Sequence, residues 1–297
     1  MLKLPLVLLA LLLGAAIWPS NTVESCGRRW TYYSASPTST GRPLPVVVLL
    51  HGAGGSGGGF LDRSGWALKA QESGFLAIAP SGVPVRPDDS PDFLTNPRVW
   101  NIGPGSLFEG PRQNIDDPQF ILDLLIQVSQ QHRCDPQRVY LLGHSNGAAM
   151  CYRLATLFPQ RWAAIATVAG PTTPVLSQAP RRVPSYAIFG TEDQILPLQG
   201  GNVETPWGTR QSSPVDVMMK GWARYLGYSG EREVISEDEK HRTDSYGSDF
   251  RVTFLKGHGH VYPAPDEPVA HPKFGPNQCE VPINDWIWEF LSKHHSS

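Results

Sequence analysis

What the chain lacks narrows its function before any motif is read. Its 297 residues carry a formal net charge of only −2. No cluster of Lys and Arg stands out, and nucleic acid binding needs concentrated positive charge. No C-x-x-C occurs among the four cysteines, which removes support for a zinc or thioredoxin-like site. No internal repeat is visible, and the 29 glycines and 28 prolines are dispersed rather than gathered into a linker. An apolar run of about 20 residues, as a membrane span requires, is also missing.

The longest apolar run, Leu4 to Ile17, is broken only by Pro5, preceded by Lys3 and closed by Gly14, Ala15 and Ala16. That order is the layout of a secretory signal peptide. We expect residues 1–20 to be a signal with an approximate end, cleaved after Ala16 or Ser20, and residues 21–297 to form a single catalytic domain. Val23, Glu24 and Ser25 before Cys26 do not resemble a lipoprotein signal, so no lipid or stable membrane anchor is expected. The expected location is secreted or periplasmic. In an exported protein an even cysteine count points to disulfides, and Cys26, Cys134, Cys151 and Cys279 permit three pairings that sequence cannot choose among. A Cys26–Cys279 bridge would tie the chain's ends. Buried free thiols are the alternative, most plainly for Cys151 within a helix.

What is present is an alternation. Apolar, β-branched runs at Val46–Leu50, Phe75–Ala79, Val139–Leu142, Ala163–Val168, Val183–Phe189 and Phe250–Leu255 read as strands buried on both faces. Between them, Phe120, Ile121, Leu124, Leu125 and Val128 repeat at helical spacing, with Asp117 as the expected cap and Pro118 in the first turn. Further helices are expected after Asn146, over about Val215–Tyr225, and around Trp286, Phe290 and Leu291. This predicts an α/β fold: a mostly parallel sheet with helices on both faces and ligands bound beyond the strands' C-terminal ends.

The loops after those strands hold the chemistry. Val139–Leu142 runs into Gly143-His144-Ser145-Asn146-Gly147 and then a helix. A G-x-S-x-G turn between strand and helix lifts its serine out of the sheet. Glycines at both ends remove side chains that would collide across the turn, and the helix N-terminus favours a developing oxyanion. After the first clear strand, His51-Gly52-Ala53-Gly54-Gly55 resembles an H-G-G-G oxyanion loop. A phosphate loop is the other reading, but no G-K-[ST] ending follows. The oxyanion donors would be the N–H of Asn146 and that of Ala53 or Gly54. His51, ahead of the loop, reads as structural. A serine nucleophile needs a base, and the base an orienting acid. Asp193 or Glu192 follows one strand and His258 or His260 another. Spacing alone leaves both choices open, and Asp216, Asp244 and Asp249 follow no strand end.

Together these segments carry a resemblance. Asp116 through Gly170, reading D-D-P-Q-F-I…C-D-P-Q-R-V-Y-L-L-G-H-S-N-G…F-P-Q-R-W-A-A-I-A-T-V-A-G, resembles the secreted polyhydroxybutyrate depolymerase and feruloyl esterase group of α/β-hydrolases. The likeness extends to Leu49–Gly52, Trp100-Asn101, Gly190, Asp193 and Gly257–Pro263. It implies an α/β-hydrolase fold and a carboxylic-ester hydrolase with Ser145 as nucleophile, Asp193 as acid and His260 rather than His258 as base. No metal and no organic cofactor is implied. Pro118, Ala148, Tyr262 and Ala264 depart from the group's usual residues, and Tyr262 lies next to the base.

Only Pro171–Arg182 separates Gly170 from the next strand, too short for a large cap domain. The extra length lies in Val83–Ile115 and Gln194–Pro214, with Trp100, Phe108 and Trp207. Trp100, Trp207 and Tyr262 are thus the substrate-binding candidates, in an open, aromatic-walled cleft suited to bulky or polymeric esters. Loop packing accounts for these aromatics equally well. The expected partner is an ester substrate, polymeric ones included. A serine peptidase or acyltransferase on the same fold, or a non-catalytic polymer-binding relative, are the rival readings. Sequence leaves the oligomeric state open.

Overall fold

The computed structural model describes residues 18–37, 41–112, 114–172, 178–264, 269, 271–278 and 280–296. The expected signal peptide lies almost wholly outside the described residues, as does Cys279. So does part of the expected cap-free connection after Gly170.

The central element is a ten-stranded sheet. Its middle is parallel: β3 (Leu44–Leu50) pairs with β4 (Leu76–Pro80) on one side and with β5 (Cys134–His144) on the other. From β5 the order continues through β6 (Ala164–Val168), β7 (Ser185–Gly190) and β12 (Phe250–Leu255), again parallel. Antiparallel strands close both edges. An N-terminal hairpin, β1 (Ser20–Ser25) and β2 (Arg28–Ala35), joins at β4. At the other edge β11 (His241–Ser245) and β10 (Glu233–Glu237) follow β12.

Strand periodicity divides the core into two layers. Val46, Val48 and Leu50 of β3 face one apolar cluster, and Val47 and Leu49 face the other. The first layer is covered by α3 (Asp117–Gln131), α4 (Asn146–Leu157) and α5 (Val215–Tyr225) through Phe120, Leu124, Leu154 and Trp222. The second is covered by α1 (Gly57–Arg63), α2 (Trp66–Ser73) and α6 (Ile283–Leu291) through Phe60, Trp66, Ile287 and Phe290. Truncating a fully buried member such as Leu141 to Ala costs about 2–5 kcal/mol, transfer and cavity together.

The α/β-hydrolase expectation holds. Asp116, not Asp117, caps α3: its side chain accepts from the Gln119 N–H at 3.0 Å. Asp117 is instead wholly buried and accepts from the Asn101 N–H at 2.7 Å, fixing the loop before the helix. Cys26, Cys134 and Cys151 carry free thiols. Among the described residues no helix is long and apolar enough to cross a membrane.

Candidate active site

Ser145 sits between β5 and α4 with φ 53° and ψ −117°, a strained left-handed backbone for a residue with a Cβ. The turn survives because its neighbours are glycines. A Cβ on Gly143 would come within 2.3 Å of the Gly147 carbonyl oxygen, and one on Gly147 within 2.0 Å of the Leu50 oxygen. The Ser145 N–H is tied to Val168 O of β6 at 2.8 Å, which anchors the turn to the sheet.

The Ser145 Oγ lies 2.7 Å from Nε2 of His260. Nδ1 of His260 donates to Oδ2 of Asp193, also at 2.7 Å. The other carboxylate oxygen accepts from the N–H groups of Ile195 (2.8 Å) and Leu196 (2.6 Å). Asp193 thus has a fixed orientation, fixes the imidazole tautomer, and leaves Nε2 free to take a proton from the hydroxyl. His260 itself is held by its N–H, which donates to Phe274 O at 2.5 Å. The two carriers stand at neighbouring strand ends, since β7 pairs directly with β12.

The other histidines are occupied elsewhere. His258 is buried, donates through Nε2 to Val261 O (3.0 Å) and accepts from the Gln278 N–H at Nδ1 (3.2 Å). Both nitrogens are spent on the loop, and burial lowers its pKa. His51 accepts the Gly82 N–H at Nε2 (2.9 Å) and donates to Gly52 O (2.7 Å), so it braces the loop after β3. Burial brings its pKa down to about 4. His144 is half-buried beside His260, with ring centroids 5.5 Å apart. Desolvation, then the neighbouring imidazoles, hold it neutral.

Of the two expected loop donors, Gly54 is engaged, its N–H bonding Arg98 O at 2.9 Å. The N–H groups of Ala53 and Asn146 have no partner among the described residues and line the cavity at Ser145. The Asn146 side chain is locked by the Trp100 backbone, accepting its N–H at 2.6 Å and donating to its carbonyl at 3.2 Å. Trp100 is therefore a correction. It is fully buried, donates to His51 O at 2.9 Å and lines neither cavity, so it buttresses the loop after β3 and the Asn146 side chain instead of walling the cleft.

Two cavities meet at Ser145 and His260. The larger, about 250 Å³, is walled by Ile102, Leu107, Phe108, Trp207, Arg210 and Met218. The smaller, about 120 Å³, lies against the oxyanion loop and is walled by Phe60, Phe93, Tyr262 and Phe274. Trp207 lines both and is pinned by donating to Phe93 O at 2.7 Å. Tyr262 presents its ring to the smaller one, while its hydroxyl accepts from Trp66 and donates to Asn284, each at 2.7 Å.

Sequence reasoning missed Phe93, Phe274 and Arg210. It also missed the hairpin that carries Trp207 and Arg210, β8 (Gly201–Thr205) with β9 (Gly208–Ser212). The Pro206-Trp207-Gly208 stretch between two polar, alternating runs was the available signal. Among the described residues no group of three or more His, Cys, Asp and Glu side chains is placed to hold a metal ion.

Comparison with known proteins bears on this geometry. The model of the phospholipase/carboxylesterase family matches residues 38–207, more than half of the chain. The chain is 32% identical over 186 residues to the putative esterase NocK of Nocardia uniformis subsp. tsuyamanensis, covering 61% of this chain and 50% of that protein. It is 26% identical over 176 residues to the bifunctional acetylxylan esterase/xylanase XynS20E of Neocallimastix patriciarum, covering 59% of this chain and 23% of that one. It thus spans half or less of these two relatives. A solved acetyl xylan esterase from Aspergillus awamori shares the fold, with TM-score 0.64 and 17% identity over 92% of this chain and 99% of that one. Relatives named feruloyl esterase and poly(3-hydroxyalkanoate) depolymerase support the group resemblance read from sequence. With a strained serine turn on an α/β-hydrolase sheet and a family match over its core, the chain belongs to the phospholipase/carboxylesterase family.

Proposed function

We propose that this protein hydrolyses carboxylic esters through an acyl-enzyme formed on Ser145. The reading rests on the continuous hydrogen-bonded chain from Asp193 through His260 to Ser145, at the meeting point of two cavities. The hydroxyl attacks the ester carbonyl while His260 Nε2 takes its proton. Asp193 stabilises the imidazolium that forms. The tetrahedral oxyanion accepts from the N–H groups of Asn146 and Ala53, whose positions are fixed before substrate arrives. His260 then protonates the leaving alcohol. Water, deprotonated by the same imidazole, releases the acid.

The substrates we propose are esters of acetyl or feruloyl groups with sugars, or hydroxyalkanoate polyesters. Relatives carrying such names and the paired, aromatic-walled cavities support this class. We further propose that the chain is exported and that residues up to about Ser20 are removed. Mass spectrometry of protein from the native host should find an N-terminus between about Ile17 and Cys26. An intact Met1 on soluble cytoplasmic protein contradicts it.

A fluorophosphonate probe tests the nucleophile: it should label the wild type at Ser145 and leave Ser145→Ala unlabelled. Labelling elsewhere, or none, overturns the assignment. Turnover of p-nitrophenyl esters, methyl ferulate, acetylated xylan and polyhydroxybutyrate then ranks the substrate classes.

A further inference from the structure

The larger cavity has a charge imbalance that ester hydrolysis alone does not call for. Arg210, on β9, is the only Lys, Arg, Asp or Glu among the described residues that line it. Its Nη2 donates to Ile195 O at 3.0 Å. It has no ion pair, and its other guanidinium nitrogens have no hydrogen-bond partner, among the described residues. None of those nitrogens is both sealed from solvent and unpartnered, and Arg210 is part of the cavity wall. Burial lowers the Arg210 pKa, and the field of Asp193 raises it in part. Asp193 acts on it only through space: among the described residues the carboxylate pairs with His260 and accepts from the loop N–H groups, and no ion pair joins it to Arg210.

A partly desolvated guanidinium bonded to one neutral carbonyl has paid much of the cost of leaving water without gaining a direct ion pair. Its planar donor fork matches a carboxylate, which can take two parallel N–H bonds. Thr172, Gln211 and Ser213 line the same cavity and add hydroxyl and amide groups. From this arrangement we infer that Arg210 is a specificity residue that binds a carboxylate carried by the substrate, making esters of acidic compounds the preferred class. Such a carboxylate belongs to a hydroxy-acid chain end or to an acidic sugar, and both present the same group. The inference rests on the Ser145 reading and adds the charge of the substrate to it.

The alternative role for Arg210 is a strut: through Ile195 O it braces the loop that holds Asp193. The two roles separate by substrate charge. In the first arm, p-nitrophenyl hemiglutarate is compared with p-nitrophenyl pentanoate, placing the carboxylate on the acyl side. In the second, 4-acetoxybenzoate is compared with 4-acetoxybenzamide, placing it on the alcohol side. Wild type should prefer the anionic member of at least one pair by about tenfold or more in kcat/KM. Arg210→Gln should lose about 30-fold on that member, mostly through KM, and about threefold or less on its neutral mate. Arg210→Lys, which keeps the charge but not the fork, should fall between them.

Absence of any anionic preference in both arms overturns the inference. So does an equal loss on charged and neutral esters in both variants, which is the signature of a strut. In either case neutral-ester turnover and fluorophosphonate labelling leave the Ser145 reading standing. A wild type that cleaves none of the esters and takes no label overturns that reading and the inference with it.

Discussion

The two sides of the cleft are built differently. One side consists of strand ends. Ala53 follows β3, Ser145 follows β5, Asp193 follows β7 and His260 follows β12. Each inherits its position from a parallel sheet whose strands are buried on both faces, and small displacements there would disturb the core. The other side consists of excursions. Phe93 comes from the long connection after β4, Trp207 and Arg210 from the β8–β9 hairpin, and Phe274 from the segment after β12. These meet one another through Trp207, whose ring lies 5.4 Å from Phe93 and 6.4 Å from Phe274 between centroids. In the proposed mechanism the first side carries geometry that the reaction cannot vary. The second is held by a few contacts between surface elements and is free to set substrate choice.

The comparison predicts effects of very different size. Ser145→Ala should lower ester turnover by about 10⁴-fold or more, since it removes the bond-forming atom and leaves the sheet untouched. His260→Ala should fall as far, because the chain acts as a unit. His258→Ala should lose only about tenfold, through loosening of the loop that its two hydrogen bonds tie. A steady-state assay of the three purified variants checks the ranking. A His258 variant as dead as the His260 variant would erase the distinction between them.

The strand-end side should also carry a stability signature in pH. His51 is buried and neutral, with its pKa brought from 6.5 to about 4. In the unfolded chain it would protonate near 6.5, so the unfolded state binds more protons below that pH. Its contribution is complete above pH 6.5 and is lost as pH falls towards 4. Burial depresses His144 and His258 in the same direction. The His51 contribution alone is about 3 kcal/mol. Urea midpoints measured from pH 7.5 to 4.5 should fall steeply below 6.5. A His51→Gln variant should show a shallower fall. Identical slopes would mean that His51 does not set this dependence.

The sequence was most legible where one residue's role is set by neighbours close along the chain. All six apolar runs became strands of the central sheet, and the helix over Val215–Tyr225 matches its expected bounds. Gly143 and Gly147 announce the Ser145 turn because only the missing Cβ atoms let it close. Choosing His260 over His258 needed the family resemblance, because two residues apart around Gly259 both remain able to face the serine. Legibility failed where contacts join segments remote in sequence. Trp100 looked like a cleft aromatic because it lies in a Pro/Gly-rich loop, yet it is buried by bonds to His51 and Asn146. Arg210 went unread, since nothing local shows that its hairpin folds against the loop of Asp193. The missed hairpins at both sheet edges and at β8–β9 are polar on their outer faces and lack the continuous apolar runs of buried strands.

A comparably small effect is the most direct probe of the excursion side. Trp207 is half-buried at the tip of the β8–β9 hairpin, and its ring is wall to both cavities. Its indole is anchored by the hydrogen bond from Nε1 to Phe93 O. Trp207→Ala would remove the partition between the cavities and untie the two excursions, while touching no residue of the Asp193–His260–Ser145 chain. Large substrates that use the aromatic walls should feel this, and small ones should not. For methyl ferulate kcat/KM should fall about tenfold, and for p-nitrophenyl acetate about threefold or less. Trp207→Phe, which keeps a ring but not the N–H, should recover most of the loss if packing dominates and little of it if the bond to Phe93 does. Equal losses on both esters would show that the hairpin positions the strand-end groups as well, and the division between a fixed reactive side and an adjustable substrate side would fail.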